Sequence, residues 1–179
     1  MLGSHMSAYN LLMNHDEPIP VRASSGPKGI ALLAANHQVP ILWMALFGPA
    51  DIRRMSLPDS EVGDIPTMMA STADALRRYA SRKGALRRAL DARHFDRIAE
   101  WERFIQTGLT KAYVQIDFED FCLVGDLPAF EAELVTWLDG VEHMSGSGWN
   151  ALCVQANLDN LKLSPYGMRG FGHEVDPWP

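Results

Sequence analysis

The sequence predicts an α+β domain, a small antiparallel sheet covered by several helices, and three observations predict it. In residues 112–125 (AYVQIDFEDFCLVG), Val114, Ile116 and Phe118 alternate with Gln115, Asp117 and Glu119, the period of a half-buried strand. On either side of this segment, residues 71–108 and residues from 126 onward carry apolar side chains at helical spacing. Strand-like and helix-like stretches are segregated, and 179 residues with 47% hydrophobic content can bury one sizeable core.

The elements follow in chain order. MLGSHM has the form of an expression-tag scar, so residues 1–5 are set aside and residues 6–179 are read as one domain with an irregular C-terminal tail. SAYNLLM offers a short strand through Tyr9, Leu11 and Met13. HDEPIPVRASSGPKG, residues 15–29, is a loop by its prolines, glycines and serines. Ile30–Asn36 reads as a short helix capped by that loop. VPILWMALFGP reads as a buried helix between Pro40 and Gly48-Pro49, with a buried strand, which would suit Trp43 and Phe47, as the alternative.

Residues 50–68 read as loop, with Pro58, Gly63 and Pro66 as breakers. A helix from Ser71 buries Leu76, Tyr79, Ala80, Leu86 and Leu90. A second, capped by Asp91 and ended by Gly108, aligns Phe95, Ile98, Trp101, Glu102 and Ile105. Asp126 and Pro128 open a third, burying Phe130, Leu134, Trp137, Leu138 and Val141. SGSG (145–148) reads as a turn, NALCVQANL as a second strand, and the Gly/Pro-rich end as irregular.

Charge is unevenly distributed. Residues 1–103 hold 13 Lys/Arg against 11 Asp/Glu, and residues 104–179 hold 3 against 11, a balance of −8. Phosphates would be repelled by the acidic half, which disfavours a nucleic-acid partner there, whereas a basic protein would be attracted. There is no secretory-type start and no run of the roughly 18 apolar residues that a membrane span needs. The expectation is a cytoplasmic chain with no membrane partner. Cys122 and Cys153 stand at no metal or redox spacing and read as free buried thiols.

Each motif with chemical potential has a structural reading beside it. SSGPKG lacks the lysine–hydroxyl pair of a phosphate loop and the glycine spacing of a dinucleotide loop, which leaves a helix cap. Nine of the sixteen Lys/Arg lie between Arg77 and Arg103, interleaved with Asp74, Asp91, Asp96, Glu100 and Glu102. That mixture reads as a solvated face, or one docked on the protein's own acidic half, ahead of a phosphate or nucleic-acid surface.

Asp117, Glu119 and Asp120 form the densest acidic cluster. They read first as the solvent face of a strand, second as a contact for a basic partner, and only then as catalytic carboxylates. No two native histidines are spaced as metal ligands on one element, and His173, Glu174 and Asp176 read as tail. No serine elbow is present. Trp178 either folds back on the core or anchors a partner. No cofactor and no metal are implied.

LLAANHQVPILWMALFGPADI, the Arg-rich helix pair behind it, AYVQIDFEDF and a Tyr-Asn near the start resemble small bacterial immunity proteins of the polymorphic-toxin and type VI secretion kind. The resemblance implies a non-catalytic, usually acidic protein that neutralises one cognate toxin by covering its active site. Asp117, Glu119, Asp120, Asp126 and Trp178 are the expected contacts. A small cytoplasmic hydrolase using Asp, Glu and His, or a phosphate or nucleic-acid binder through the Arg-rich helices, are the alternatives.

Overall fold

Six strands form one antiparallel sheet in the order β3-β4-β5-β1-β2-β6, in a computed structural model that describes residues 9–24, 30–36, 39–58, 61–90, 95–122, 126–155 and 173–174. The strands are β1 (Tyr9–His15), β2 (Ala31–Asn36), β3 (Ile52–Met55), β4 (Ile65–Ser71), β5 (Tyr113–Asp117) and the two-residue β6 (His173–Glu174). The helices are α1 (Ile41–Met44), α2 (Thr72–Ala89), α3 (Phe95–Gly108), α4 (Glu119–Cys122), α5 (Leu127–His143) and α6 (Gly146–Gln155). The predicted α+β class, a single antiparallel sheet covered by helices, is what the chain adopts.

Cross-strand register defines the two faces. Leu12 stands opposite Leu33 on β2 and Ile116 on β5, and Ile116 stands opposite Met68 on β4. This row merges with Trp43, Phe47, Tyr79, Trp101, Trp137 and Leu138 into one hydrophobic core under the helices. The reverse face carries Met13, Gln115 and Met69 in register, all buried. Burial on both faces needs a second cover, and the loop after β1 supplies it.

The helices at 72–89, 95–108 and 127–143 follow the sequence pattern, except that on α2 Ala80 is exposed and Leu76 half-buried, whereas Ala75 and Arg82 are buried. Ser71 caps α2 by accepting the Asp74 N–H at 3.1 Å, and Asp126 caps α5 by accepting the Ala129 N–H at 3.1 Å. Phe130, Leu134, Trp137, Leu138 and Val141 are all buried on α5. Asp91, expected to cap α3, lies outside the described residues.

Four expectations are overturned here, and a fifth at the C-terminal end, where His173 and Glu174, read as tail, pair with β2 as β6. Ile30–Asn36 contains strand β2, not a helix, so SSGPKG caps no helix; residues 25–29 themselves lie outside the described residues. Residues 50–68 are not mainly loop, because β3 and most of β4 pair there, Ile52 with Met68 through Met55 with Ile65. Pro66 is tolerated because pairing of β4 with β5 begins only at Met68, so its missing N–H removes no bond on that side. Residues 150–155 of NALCVQANL belong to α6 instead of a strand, residues 156–158 lie outside the described residues, and the helix starts inside SGSG.

The fourth correction concerns VPILWMALFGP. Its helix, α1, is a single turn, after which Leu46 and Phe47 close turns onto the Trp43 and Met44 carbonyls at 3.0 and 3.1 Å. The basic helix holds the segment that follows. Arg82 on α2, 6% exposed, donates to the Ala45 and Phe47 carbonyls at 3.1 and 2.5 Å, and Arg78 donates to Leu46 O at 3.0 Å. Two guanidinium groups thus satisfy carbonyls that have no helical partner at this chain end. Arg78 also pairs with Asp51 at 2.6 Å, and Arg82 with Glu142 on α5.

Candidate functional site

The polar side chains of β5 and the residues just after it are the first place to look, because the sequence concentrates carboxylates there. Alternation sends Gln115 and Asp117 to the same side of the strand. That side is covered by residues 21–24, a strap between β1 and β2. The Gln115 amide pairs with the strap backbone twice, its Oε1 accepting the Val21 N–H at 3.0 Å and its Nε2 donating to Val21 O at 2.8 Å. Two residues along, Asp117 Oδ2 accepts the Ala23 N–H at 3.0 Å. Glu119, at the start of α4, takes the Arg22 guanidinium in a fork, Nη2 to Oε1 at 2.5 Å and Nε to Oε2 at 3.2 Å.

The solvent-face reading of the acidic cluster is therefore corrected. Asp117 is 3% exposed, and its Oδ1 also accepts the Glu119 N–H at 2.8 Å. Burial pushes its carboxyl up to about 6; the two N–H donors work against that shift, and the charges of Glu119 and Asp120 add to it. Glu119 is engaged by Arg22 and reached by Ser24 Oγ at 3.5 Å. Asp120 is exposed and accepts the Tyr9 N–H at 3.1 Å, tying the start of β1 to α4. Asp126 is exposed at the cap of α5. Trp178 lies outside the described residues.

Sequence reasoning did not single out Gln115, Arg22 or His15. Gln115 carried a signal, since it shares the two-residue period of Asp117; Arg22 carried none, because its partner is 97 positions away. His15 Nε2 lies 3.0 Å from Gln115 Oε1. The Val21 bonds fix which end of the Gln115 amide is oxygen, so the imidazole donates through Nε2. Burial holds His15 below its ordinary range, and the ring stacks on Tyr113 at 6.2 Å. Next to it, Asn14 Oδ1 accepts the Lys111 N–H at 2.8 Å and Nδ2 donates to Tyr113 O at 2.7 Å, which sets where β5 begins.

The surface charge is shaped by partners from the other half of the chain. No Lys or Arg occurs between Lys111 and Lys162. Within that stretch Glu119, Glu131 and Glu142 pair with Arg22, Arg54 and Arg82. Asp120, Asp126, Glu133 and Asp139 remain exposed on α4 and α5. On the basic side, Arg78 and Arg82 turn inward, whereas Arg77, Lys83, Arg87 and Arg88 face solvent, with Arg77 on Asp74 and Arg87 on Glu102. The run is thus part solvated and part docked on the acidic half through Glu142.

Among the described residues no three His, Cys, Asp or Glu side chains gather as a metal-ligand set, and no helix is long and apolar enough to cross a membrane. Cys122 and Cys153 are free; Cys122 is buried, which pushes its thiol up to about 12, and Cys153 is half-buried. No family model matches the chain, and no curated protein or solved structure is significantly similar to it.

Proposed function

We propose that this chain is a non-catalytic protein-binding module of the toxin-immunity kind, which neutralises a cognate bacterial toxin in the cytoplasm by covering its active site. One observation carries the reading. A stretch of the chain without a single Lys or Arg leaves Asp120 on α4, Asp126 at the cap of α5, and Glu133 and Asp139 on α5 exposed to solvent. Carboxylates mounted on rigid elements attract and orient a basic partner and raise its association rate. Val135, 45% exposed one turn before Asp139 on α5, adds an apolar contact beside that carboxylate.

The earlier expectation placed the contact on Asp117 and Glu119. The proposal moves it to α4 and α5, because those two carboxylates already hold the strap. Asp120 and Asp126 stay in the contact set.

The test is co-expression with the toxin encoded beside the gene. Protection from growth arrest is expected, and Asp126→Lys with Glu133→Lys and Asp139→Lys should slow association about tenfold at low salt, as loss of electrostatic steering does. Failure to protect, or an association rate indifferent to charge reversal, would sink the proposal.

A further inference from the structure

We infer that the outer side of β5 is a recognition track for an extended, arginine-bearing segment, and that the chain's own residues 21–24 occupy it in cis. The inference rests on reading the chain as a protein-binding module. The bond pattern is that of peptide recognition. Val21 presents its N–H and C=O to Gln115, and Ala23 presents its N–H to Asp117, so a two-residue step in the strap matches a two-residue step in β5. On the strap's side these three bonds use only main-chain atoms, so the Gln115 and Asp117 side chains would accept any extended chain. The Arg22 fork onto Glu119 is the element that reads a side chain. Main-chain bonds for affinity and one side-chain site for choice is the division of labour in strand-type peptide binding.

The strap is also attached in a way that permits exchange. Val21 and Ala23 bond to side chains of β5, whose own backbone is paired on both sides, with β1 and β4. Lifting the strap breaks no bond of those ladders. Just before it, Ile19 stands 65% exposed, so the segment enters the track from solvent. The occupant the track fits in trans is a basic extended peptide with an arginine between two small or branched residues. A tethered competitor acts at millimolar effective concentration, so the intact chain binds such a peptide weakly.

The probe is a capped peptide of residues 20–24, measured by fluorescence anisotropy. Arg22→Glu sets two acidic side chains against each other and should expel the strap, so this variant should bind the peptide at least tenfold more tightly than the unaltered chain. Adding Glu119→Gln should remove the gain. Equal binding by the variant and the unaltered chain, or equal binding of a peptide with glutamate in place of its arginine, overturns the inference.

Should Arg22→Glu fail to fold, amide exchange in the unaltered chain decides. Val21 and Ala23 should exchange at least tenfold faster than Leu12 and Ile116. Equal protection would make the strap an inseparable part of the sheet and end the inference. Neither measurement involves the toxin, so failure here leaves the immunity proposal standing, and failure there leaves the track.

Discussion

Replacing Asp117 with asparagine turns the pH dependence of stability into a measurement of how deeply the strap buries that carboxyl. In the folded chain the group titrates at about 6, against an ordinary value of 3.8, because burial disfavours its charged form. A folded value above the unfolded one means that the native state keeps a proton which the unfolded chain releases. Stability from this group is therefore present below pH 3.8 and is lost as pH rises towards 6 and beyond. At 1.36 kcal/mol per unit the whole loss is about 3 kcal/mol, of which roughly 2 falls between pH 4 and pH 7.

Asp16, Asp74 and Glu142 are held below their ordinary range and act in the opposite sense, losing stability as pH falls. They are common to both proteins, so comparison at each pH cancels them. Asp117→Asn should be the less stable protein at pH 4, since its single acceptor oxygen leaves one of two N–H donors facing an amide NH2. By pH 7 the deficit should shrink by about 2 kcal/mol or change sign. Urea unfolding followed by tryptophan fluorescence at pH 4, 5, 6 and 7 reads this directly, with Trp43, Trp101 and Trp137 fully buried as reporters. A difference between the two proteins that does not vary with pH would refute the buried-carboxyl reasoning.

Two further predictions concern packing. A Cβ on Gly148 would sit 1.9 Å from Thr136 O, so Gly148→Ala must push α6 away from α5. It should destabilise by about 1–3 kcal/mol despite the gain in helix propensity, while Gly84→Ala, whose nearest neighbour is the flexible Arg88 end at 3.6 Å, should stabilise by roughly 0.5–1 kcal/mol; calorimetry checks both. Arg82→Met leaves the Ala45 and Phe47 carbonyls unpaired and should cost about 2–4 kcal/mol in urea unfolding. Glu142→Gln removes only a half-exposed partner and should cost under about 1 kcal/mol, so equal losses would show that the ion pair, not the carbonyl clamp, is what matters.

Where local pattern and final environment coincide, the sequence was legible. α5 exposes one face and buries the other, so its stripe can be read residue by residue, and the alternation in β5 survives because one parity is apolar and the other polar. β2 is buried on both sides at Leu33, Ala34 and Ala35, which erases the period of two and leaves a run of helix-forming residues. Its strand identity comes from pairing with β1, information that a local window does not contain. β3 and β4 were hidden by Pro58, Gly63 and Pro66, breakers that bound and punctuate a hairpin. α6 was missed for the opposite reason. Gly146 and Gly148 are poor helix formers; Gly146 takes a positive φ of 82° at the helix start, and Gly148 sits where the backbones of α5 and α6 touch.

The candidate site shows the same limit in electrostatic form. A balance of −8 over residues 104–179 suggests a strongly acidic surface, but a chain folds charges against one another across any sequence separation. Arg22, Arg54 and Arg82 come from the first half and meet Glu119, Glu131 and Glu142 in the second. The carboxylates that look most reactive in the sequence, Asp117 and Glu119, are the ones spent on holding the strap. Those left exposed include the less conspicuous Glu133 and Asp139, on a helix whose buried stripe is its more legible feature. A cluster in sequence marks where charge must be managed, and a charge's availability depends on what the fold brings to it. For this chain the distinction separates two sets of carboxylates: those on α4 and α5 that stay exposed, and those at the end of β5 that the chain's own residues 21–24 cover.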